Sequence, residues 1–435
     1  MVHTIKQHKR LYLAWILILA CVSVSVVTSN VLVVAAGILF FLAAFLLPIN
    51  ELIVLLIATL PYANVFKMEP GSTSLFTIAE ILVLALAMWK IKKMDASFFV
   101  TLIALAVYML LLSFDQMDFL IIIKALLGFL LVYYACKLLN KNDLIHVGYT
   151  LSIGTGVTML LAQLPRYFSY LQQYFDDINH YVDAGGHVSD VIRNGGFIGD
   201  PNYCVMTVML ALSILCLLYY YKQIGFEFWI LSAFLGVLGF FTYSKSYFLC
   251  FAVFCIFLLL FVLFPKHKVW AIIAIGGICV LTALALSGQI EVFNMIFDRF
   301  SDKGSLTTGR NDLNAQYLRY IFSHPKTLLL GDSIVADRFQ GASNNVHNIY
   351  IELLYKMGVV GTVLYIVTLI SSCGRLIVKR GGKRHFVHYL PLLFFLVMYF
   401  FLAGVTRYEL PVYIVLVCCA LKNRDFISSE KTIDK

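Results

Sequence analysis

The chain has 435 residues, of which 61% are hydrophobic and 13% charged, with a formal net charge of +9. A soluble domain carries about 25% charged residues, so this composition excludes an ordinary soluble globular protein. The charges cluster and leave long uncharged stretches, and about 20 consecutive apolar residues cross a bilayer as a helix because such a segment satisfies its own backbone polar groups.

Apolar runs fall at residues 11–27, 31–47, 51–65, 75–89, 97–114, 119–136, 144–164, 202–221, 226–241, 247–264, 269–287, 347–370, 386–403 and 411–421. The second, third and last are short or weakly bounded, so the expected fold is an all-α polytopic membrane protein with about 12–14 transmembrane helices. The first run lacks a small-residue cleavage site and leads directly into another, as a retained helix would. With the basic start (Lys6, Lys9, Arg10) in the cytoplasm and alternating spans, Lys90, Lys92, Lys93, Lys137, Lys141, Lys222, Lys266 and Lys268 also fall inside. So do Arg375, Lys379, Arg380, Lys383, Arg384, Lys422, Arg424, Lys431 and Lys435. Roughly 20 of the 33 basic residues then lie inside, which predicts an even number of spans and both termini cytoplasmic. The positive charge thus follows from topology, and no nucleic-acid partner is implied. The ten cysteines sit mostly in apolar runs (Cys21, Cys204, Cys250, Cys418), where packing as small hydrophobes is expected, without a disulfide framework or a thiolate metal site.

The expected organisation is N-terminal transmembrane helices over 1–164, a first large outer loop over 165–200 and further transmembrane helices over 201–288. A second large outer loop with an amphipathic helix follows over 289–346, then C-terminal transmembrane helices over 347–421 and a cytoplasmic tail over 422–435. No internal repeat is evident. Both extracytoplasmic loops, and the helix ends beside them, hold the residues with acid–base or anion-binding chemistry.

The first loop ends RNGGFIGDPNYC. Asp200 is a helix-capping residue, Pro201 suits the first helical position, and Gly195, Gly196 and Gly199 let the backbone approach closely. With Arg193 just before them this is either an anion site at a helix N-terminus or an ordinary glycine-rich turn whose arginine faces lipid head groups. In the short turn TYSKS, Ser244 can cap the next helix, and Lys245 in its first turn either meets an anion or snorkels to the interface. In the second loop Thr308 can cap a helix that starts near Arg310 and ends before Pro325. Leu313, Tyr317, Tyr320 and Ile321 share one face of that helix, which is expected to lie flat on the membrane with its tyrosines packing there. Asn345 is the expected cap of the next span, placing His347 in the first turn, where the helix dipole favours a neutral imidazole; it is either a base able to accept a hydroxyl proton or an ordinary hydrogen-bonded interfacial histidine. Glu352 and Lys356, four residues apart, form an expected neutralising pair.

Taken together these are R-x-x-G-F-x-x-D-P-N, T-x-S-K, T-G-R leading a helix that ends H-P, and H-N-x-Y-x-x-x-L-x-x-x-G-x-x-G, in that order between the right numbers of spans. The pattern, from Arg193 to Gly361, resembles the O-antigen ligase and Wzy-type polysaccharide polymerase superfamily. The resemblance implies a metal-independent glycosyltransferase without cofactor, acting on the outer face of the cytoplasmic membrane on an undecaprenyl-diphosphate-linked oligosaccharide. It implies His347 as the base and Arg193 and Arg310 on the diphosphate, joined by Lys245, where the family commonly has arginine; a lysine there keeps the charge but loses bidentate recognition. Asn202, Asn348, Tyr350 and Lys124 are further candidates for substrate binding. Membrane lipids, a flippase and a chain-length regulator are the partners such an enzyme would meet.

Polymerase and ligase differ only in the acceptor, another lipid-linked repeat unit or a terminal molecule, and the sequence carries no direct mark of either; a capsular or exopolysaccharide polymerase is the favoured expectation. Asp176, Asp177, His180, Asp183, His187 and Asp190 in the first loop are read as a solvated acidic stretch, with a hard-cation site as the alternative. A lipid-linked oligosaccharide flippase is the alternative of a different class. Unequal loops and the lack of two related halves argue for an enzyme instead, and Lys124 within its span is either a lipid-diphosphate ligand or a snorkelling residue.

Overall fold

The structure is a computed structural model that describes residues 8–28, 32–67, 74–114, 119–163, 194–264, 269, 310–333, 339, 346–379 and 385–422. Among the described residues it is helical with no strand, an all-α polytopic membrane protein as expected. The helices are α1 Lys9–Thr28, α2 Leu32–Leu46, α3 Ile49–Ala58, α4 Leu75–Lys90, α5 Ala96–Leu112, α6 Phe119–Leu138, α7 Lys141–Leu161 and α8 Pro201–Tyr220. They continue as α9 Glu227–Phe240, α10 Lys245–Phe257, α11 Arg310–Ser323, α12 Pro325–Leu330, α13 Ile349–Lys379, α14 Leu390–Met398 and α15 Glu409–Lys422.

By length and composition six of these stretches can cross a membrane alone: α1, α6, α7, α8, α10 with its continuation to Leu263, and α13 as far as Cys373. Others, such as α2, α5 and α9, are apolar but shorter. The span expected over 269–287 lies, beyond Val269, outside the described residues. Helix ends follow local chemistry: Asn140 and Asp143 form a reciprocal capping box at the start of α7, and Pro325 separates α11 from α12 as expected.

Helix α8 is apolar on every face and buried along nearly its whole length, so it forms the axis of the bundle. α7, α14 and α15 pack around it. Helices in lipid gain little by hiding apolar surface from one another, so close packing at small residues holds them together. Gly128 of α6 is one such point, because a Cβ there would collide with Pro411 of α15. The perimeter is apolar, with Phe45, Trp89, Leu111 and Val237 among its exposed side chains, as a lipid-facing surface requires. The cysteines among the described residues are free thiols, most of them buried.

Candidate active site

The D-P-N motif folds as its sequence predicts. The Asp200 carboxylate accepts from the backbone N–H groups of Asn202 (2.8 Å) and Tyr203 (3.4 Å), and Pro201 takes the first helical position of α8. The preceding glycines serve turn geometry: Gly196 and Gly199 hold φ of +57° and +86°. Asn194 anchors this turn to two other helix ends. Its side chain donates to the Met159 carbonyl at 2.8 Å, and its backbone N–H donates to the Phe241 carbonyl at 3.0 Å. Arg193, one residue earlier, lies outside the described residues, as do the acidic stretch Asp176 to Asp190 and Thr308.

Asn202 is buried and points to the T-x-S-K motif. Its side-chain oxygen accepts from the Ser244 hydroxyl at 2.9 Å and from the Ser246 hydroxyl at 3.4 Å. Ser244 stands at the cap position of α10, but its hydroxyl bonds Asn202 and the Ser246 hydroxyl and caps no backbone N–H of that helix, contrary to expectation. Tyr243 just before it holds φ of +46°, unusual for a bulky residue and worth about 1–3 kcal/mol of strain. The outcome is Lys245 as the half-buried first residue of α10, beside the D-P-N turn.

Arg310 opens α11. The predicted face of that helix is its packing face: Tyr317 and Ile321 are buried with Val346 and Tyr355, with Leu313 and Tyr320 against them. The Tyr317 ring stands edge-on to Tyr355 at 5.1 Å. Tyr355 of α13 also donates its hydroxyl to Asp332 at 2.9 Å and accepts from the Phe339 backbone N–H at 3.0 Å. It pins the second loop to the bundle.

The start of α13 differs from expectation. Asn348, not Asn345, is the capping residue, since its side-chain oxygen accepts from the N–H groups of Tyr350 (3.1 Å) and Ile351 (3.4 Å). His347 thus lies one residue before the cap, outside the first turn, and half-exposed. The dipole argument for a neutral imidazole loses its geometric basis there, because the dipole's effect is confined to the first turn. Asn345 itself is outside the described residues. Tyr350 is exposed along its ring but donates its hydroxyl to the Leu396 carbonyl at 2.9 Å and packs on Phe400.

The Glu352–Lys356 pair forms at 2.8 Å as expected. Glu352 also accepts from the backbone N–H groups of Gly404 (2.6 Å) and Val405 (3.2 Å). Those residues belong to the turn between α14 and α15, which sequence reasoning did not single out. The same turn accepts from the Ile349 N–H through the Tyr399 carbonyl (2.9 Å) and from the Tyr203 hydroxyl through the Ala403 carbonyl (2.6 Å). It carries Arg407, whose guanidinium donates twice to Glu409, at 3.1 and 2.6 Å. That guanidinium lies over the Tyr203 ring at 3.9 Å and reaches Asp200 at 3.7 Å. Burial opposes its charge, but Glu409 first and then Tyr203 and Asp200 hold its pKa above the ordinary value. The turn therefore joins the D-P-N helix to the helix that follows His347. The only sequence mark of it was R-Y-E between two apolar runs. Lys124, in the second turn of α6, lines a cleft together with Arg407.

Three of the four motifs lie in a single continuous segment, from Thr242 to Gly361. Residues 230–366 match the O-antigen ligase family model. The matched segment holds Lys245, Arg310 and His347, with Asn348 and Tyr350; Arg193 and Asn202 precede it. The match covers less than half of the chain and agrees with the resemblance that those three motifs carry. No curated protein matches the chain.

Proposed function

We propose that this chain is a polysaccharide polymerase that transfers a glycan from undecaprenyl diphosphate to a sugar hydroxyl of another lipid-linked repeat unit, on the outer face of the cytoplasmic membrane. The observation that carries the reading is the O-antigen ligase match over the segment that holds Lys245, Arg310 and His347. In the step itself, the acceptor hydroxyl oxygen bonds to the anomeric carbon and the bond from that carbon to the diphosphate oxygen breaks. The electron pair leaves with undecaprenyl diphosphate, and the hydroxyl proton goes to a nitrogen of His347. Arg193, Arg310 and Lys245 compensate the charge that grows on the leaving diphosphate, so the chemistry requires no metal. Asn202, bonded to Ser244 and Ser246, sets the backbone from which Lys245 projects. Asn348 fixes the first turn of α13 directly behind His347. The bilayer suits this task, because the donor's tail needs an apolar setting while its sugar needs water. A flippase would supply the donor, and a chain-length regulator would act on the product.

The deciding experiment gives the purified protein, in detergent with chelator, a lipid-linked repeat unit and follows chain length. Stepwise lengthening on the lipid supports the polymerase. Transfer only to an added terminal acceptor makes the chain a ligase, and no transfer to either with intact binding overturns the enzymatic reading.

A further inference from the structure

Glu352 holds more than its neighbouring lysine. One carboxylate oxygen pairs with the Lys356 amine at 2.8 Å. The other accepts from two consecutive backbone N–H groups, Gly404 at 2.6 Å and Val405 at 3.2 Å. Successive N–H groups converge on one oxygen where the chain bends sharply, and Gly404 supplies the bend with φ of +91°. The carboxylate is buried, so these charge-assisted bonds are made away from water, where they are strong.

Their place in the fold matters as much as their strength. Glu352 lies one turn beyond Asn348, whose carbonyl accepts from the Glu352 N–H at 2.9 Å. Asn348 caps α13 and directly follows His347. In the same turn of the helix the Ile349 N–H donates to the Tyr399 carbonyl at 2.9 Å. The start of α13 is therefore tied at two points, Ile349 and Glu352, to opposite ends of the segment from Tyr399 to Val405. A single hydrogen bond leaves the helix start free to pivot about it, and a second removes that freedom. The far side of the segment is fixed as well. Ala403 accepts from the Tyr203 hydroxyl at 2.6 Å, and the Gly404 carbonyl accepts from the N–H of Arg407, whose guanidinium reaches Asp200. A partner for Lys356 needs only charge. Holding Gly404 and Val405 needs reach.

We propose that Glu352 is a positioning residue for glycan transfer: through the Gly404 and Val405 N–H groups it fixes the start of α13, and with it His347, against the helix that carries the D-P-N motif. The assignment rests on the glycosyltransferase reading above and concerns the placement of the base, not a ligand. Glu352 acts through His347, since a misplacement of about 1 Å at a reacting group costs on the order of a hundredfold in rate.

The test separates reach from charge. Glu352→Gln keeps the length and an oxygen for the two N–H groups but loses the charge that pairs with Lys356. Glu352→Asp keeps the charge but withdraws the oxygens by one methylene. With a lipid-linked repeat unit in detergent, Glu352→Asp and Glu352→Ala are expected to lower kcat about tenfold to a hundredfold with KM for the donor little changed, while Glu352→Gln recovers most of the rate. The opposite order, Glu352→Asp near normal and Glu352→Gln defective, would make the residue a charge partner of Lys356 and overturn the positioning role. If Glu352→Ala fails to accumulate, Glu352→Asp decides, because it keeps the buried pair. A second measurement does not depend on transfer. Nitroxide labels on His347→Cys and Lys245→Cys, in a background freed of reactive native thiols, give a distance distribution by pulsed electron resonance. That distribution should shift or broaden with Glu352→Asp and Glu352→Ala and stay as it was with Glu352→Gln; no change in the first two overturns the proposal. Absence of transfer by the unsubstituted protein, with the label distances responding as expected, would instead remove the glycosyltransferase reading and leave Glu352 as the residue that fixes the start of α13.

Discussion

His347 and Arg407 approach the same turn from opposite ends. His347 precedes Ile349, whose N–H is held by Tyr399 at the start of the turn, and Arg407 closes the turn against Asp200 and Glu409. Their consequences differ. His347 lies outside the helix and half-exposed, so its replacement should spare the fold. His347→Ala is expected to abolish detectable chain extension while the protein accumulates in the membrane, since general-base assistance is worth about a hundred- to ten-thousand-fold. His347→Gln keeps a hydrogen bond but takes no proton and should be nearly as defective; near-normal rates in vitro would reduce the histidine to positioning. Arg310→Lys and Arg193→Lys should each impair extension clearly, because the bidentate fork is lost while the charge stays, whereas Lys245→Arg should be tolerated. Normal extension by both arginine variants would remove their diphosphate role. Arg407→Gln belongs to another class. It strands the fully buried Glu409 carboxylate and should cost on the order of 3 kcal/mol, read as earlier thermal unfolding in detergent. Little of this was legible in the sequence. Arg407 sits in a short turn with no motif of its own, and its partners Asp200 and Tyr203 come from a helix far away in the chain, so no spacing rule links them. The cap differs from expectation for another reason: S-N-N-V-H-N offers several asparagines able to cap, and the hydrogen bond of the Ile349 N–H to the distant Tyr399 carbonyl, which accompanies the cap at Asn348, leaves no local mark.

At the scale of elements, the H-N-x-Y-x-x-x-L-x-x-x-G-x-x-G pattern acquires a physical reason for each glycine. Helix α13 breaks at Gly358, where φ is +61°, and the C-terminal turn of α12 enters the break with Gly331 at φ of +79°. A Cβ at Gly358 would strike the backbone of Leu329 and Gly331, and one at Gly331 would strike the carbonyl of Lys356. Tyr108 of α5 staples the junction by donating to the carbonyls of Leu330 (2.7 Å) and Met357 (2.9 Å). Gly361 makes room for the same tyrosine, since its Cβ would meet the Tyr108 ring. The motif is thus a joint between the second loop and the bundle. Gly358→Ala faces both a backbone conformation (φ +61°, ψ −175°) that is essentially restricted to glycine, about 1–3 kcal/mol for another residue, and a clash with main chain that cannot move aside. Gly361→Ala meets side chains only, the Tyr108 ring and Met357. The thermal unfolding temperature of the purified variants should therefore fall further for Gly358→Ala than for Gly361→Ala, and the reverse order would mean that the break in α13 is not what these glycines serve. Caps at Asp200 and the stop at Pro325 were readable because they depend on a few neighbouring residues. The break at Gly358 was not, because a lone glycine in an apolar helix is compatible with an unbroken span.

Among the described residues, two sets of polar contacts join distant helix ends. One set joins residues near Asn140: Lys137 pairs with Asp95 at 3.3 Å, Asn50 donates to Asp143 at 2.8 Å, and the Lys422 amine donates to the Leu139 carbonyl at 2.9 Å. The other joins Asn194 to Met159 and Phe241, Asn202 to Ser244, Asp200 to Arg407, and Glu352 to Gly404. Alternating spans assign every member of the first set to one side of the membrane and every member of the second to the other, so the contacts and the alternation agree without reference to charge. Charge turns this into a prediction of which side is which: the first set carries the lysine-rich turns, a composition expected to stay in the cytoplasm, and the second carries the candidate site. Single cysteines at Ser189 and Ser305, in a background freed of reactive native thiols, should accordingly react with an impermeant maleimide in intact cells. A cysteine at Lys92, in the basic turn between α4 and α5, should react only after the membrane is opened. Labelling in the opposite order would place the polar loops in the cytoplasm, where a glycan already flipped outward cannot reach them, and would end the assignment of His347 to transfer on the outer face.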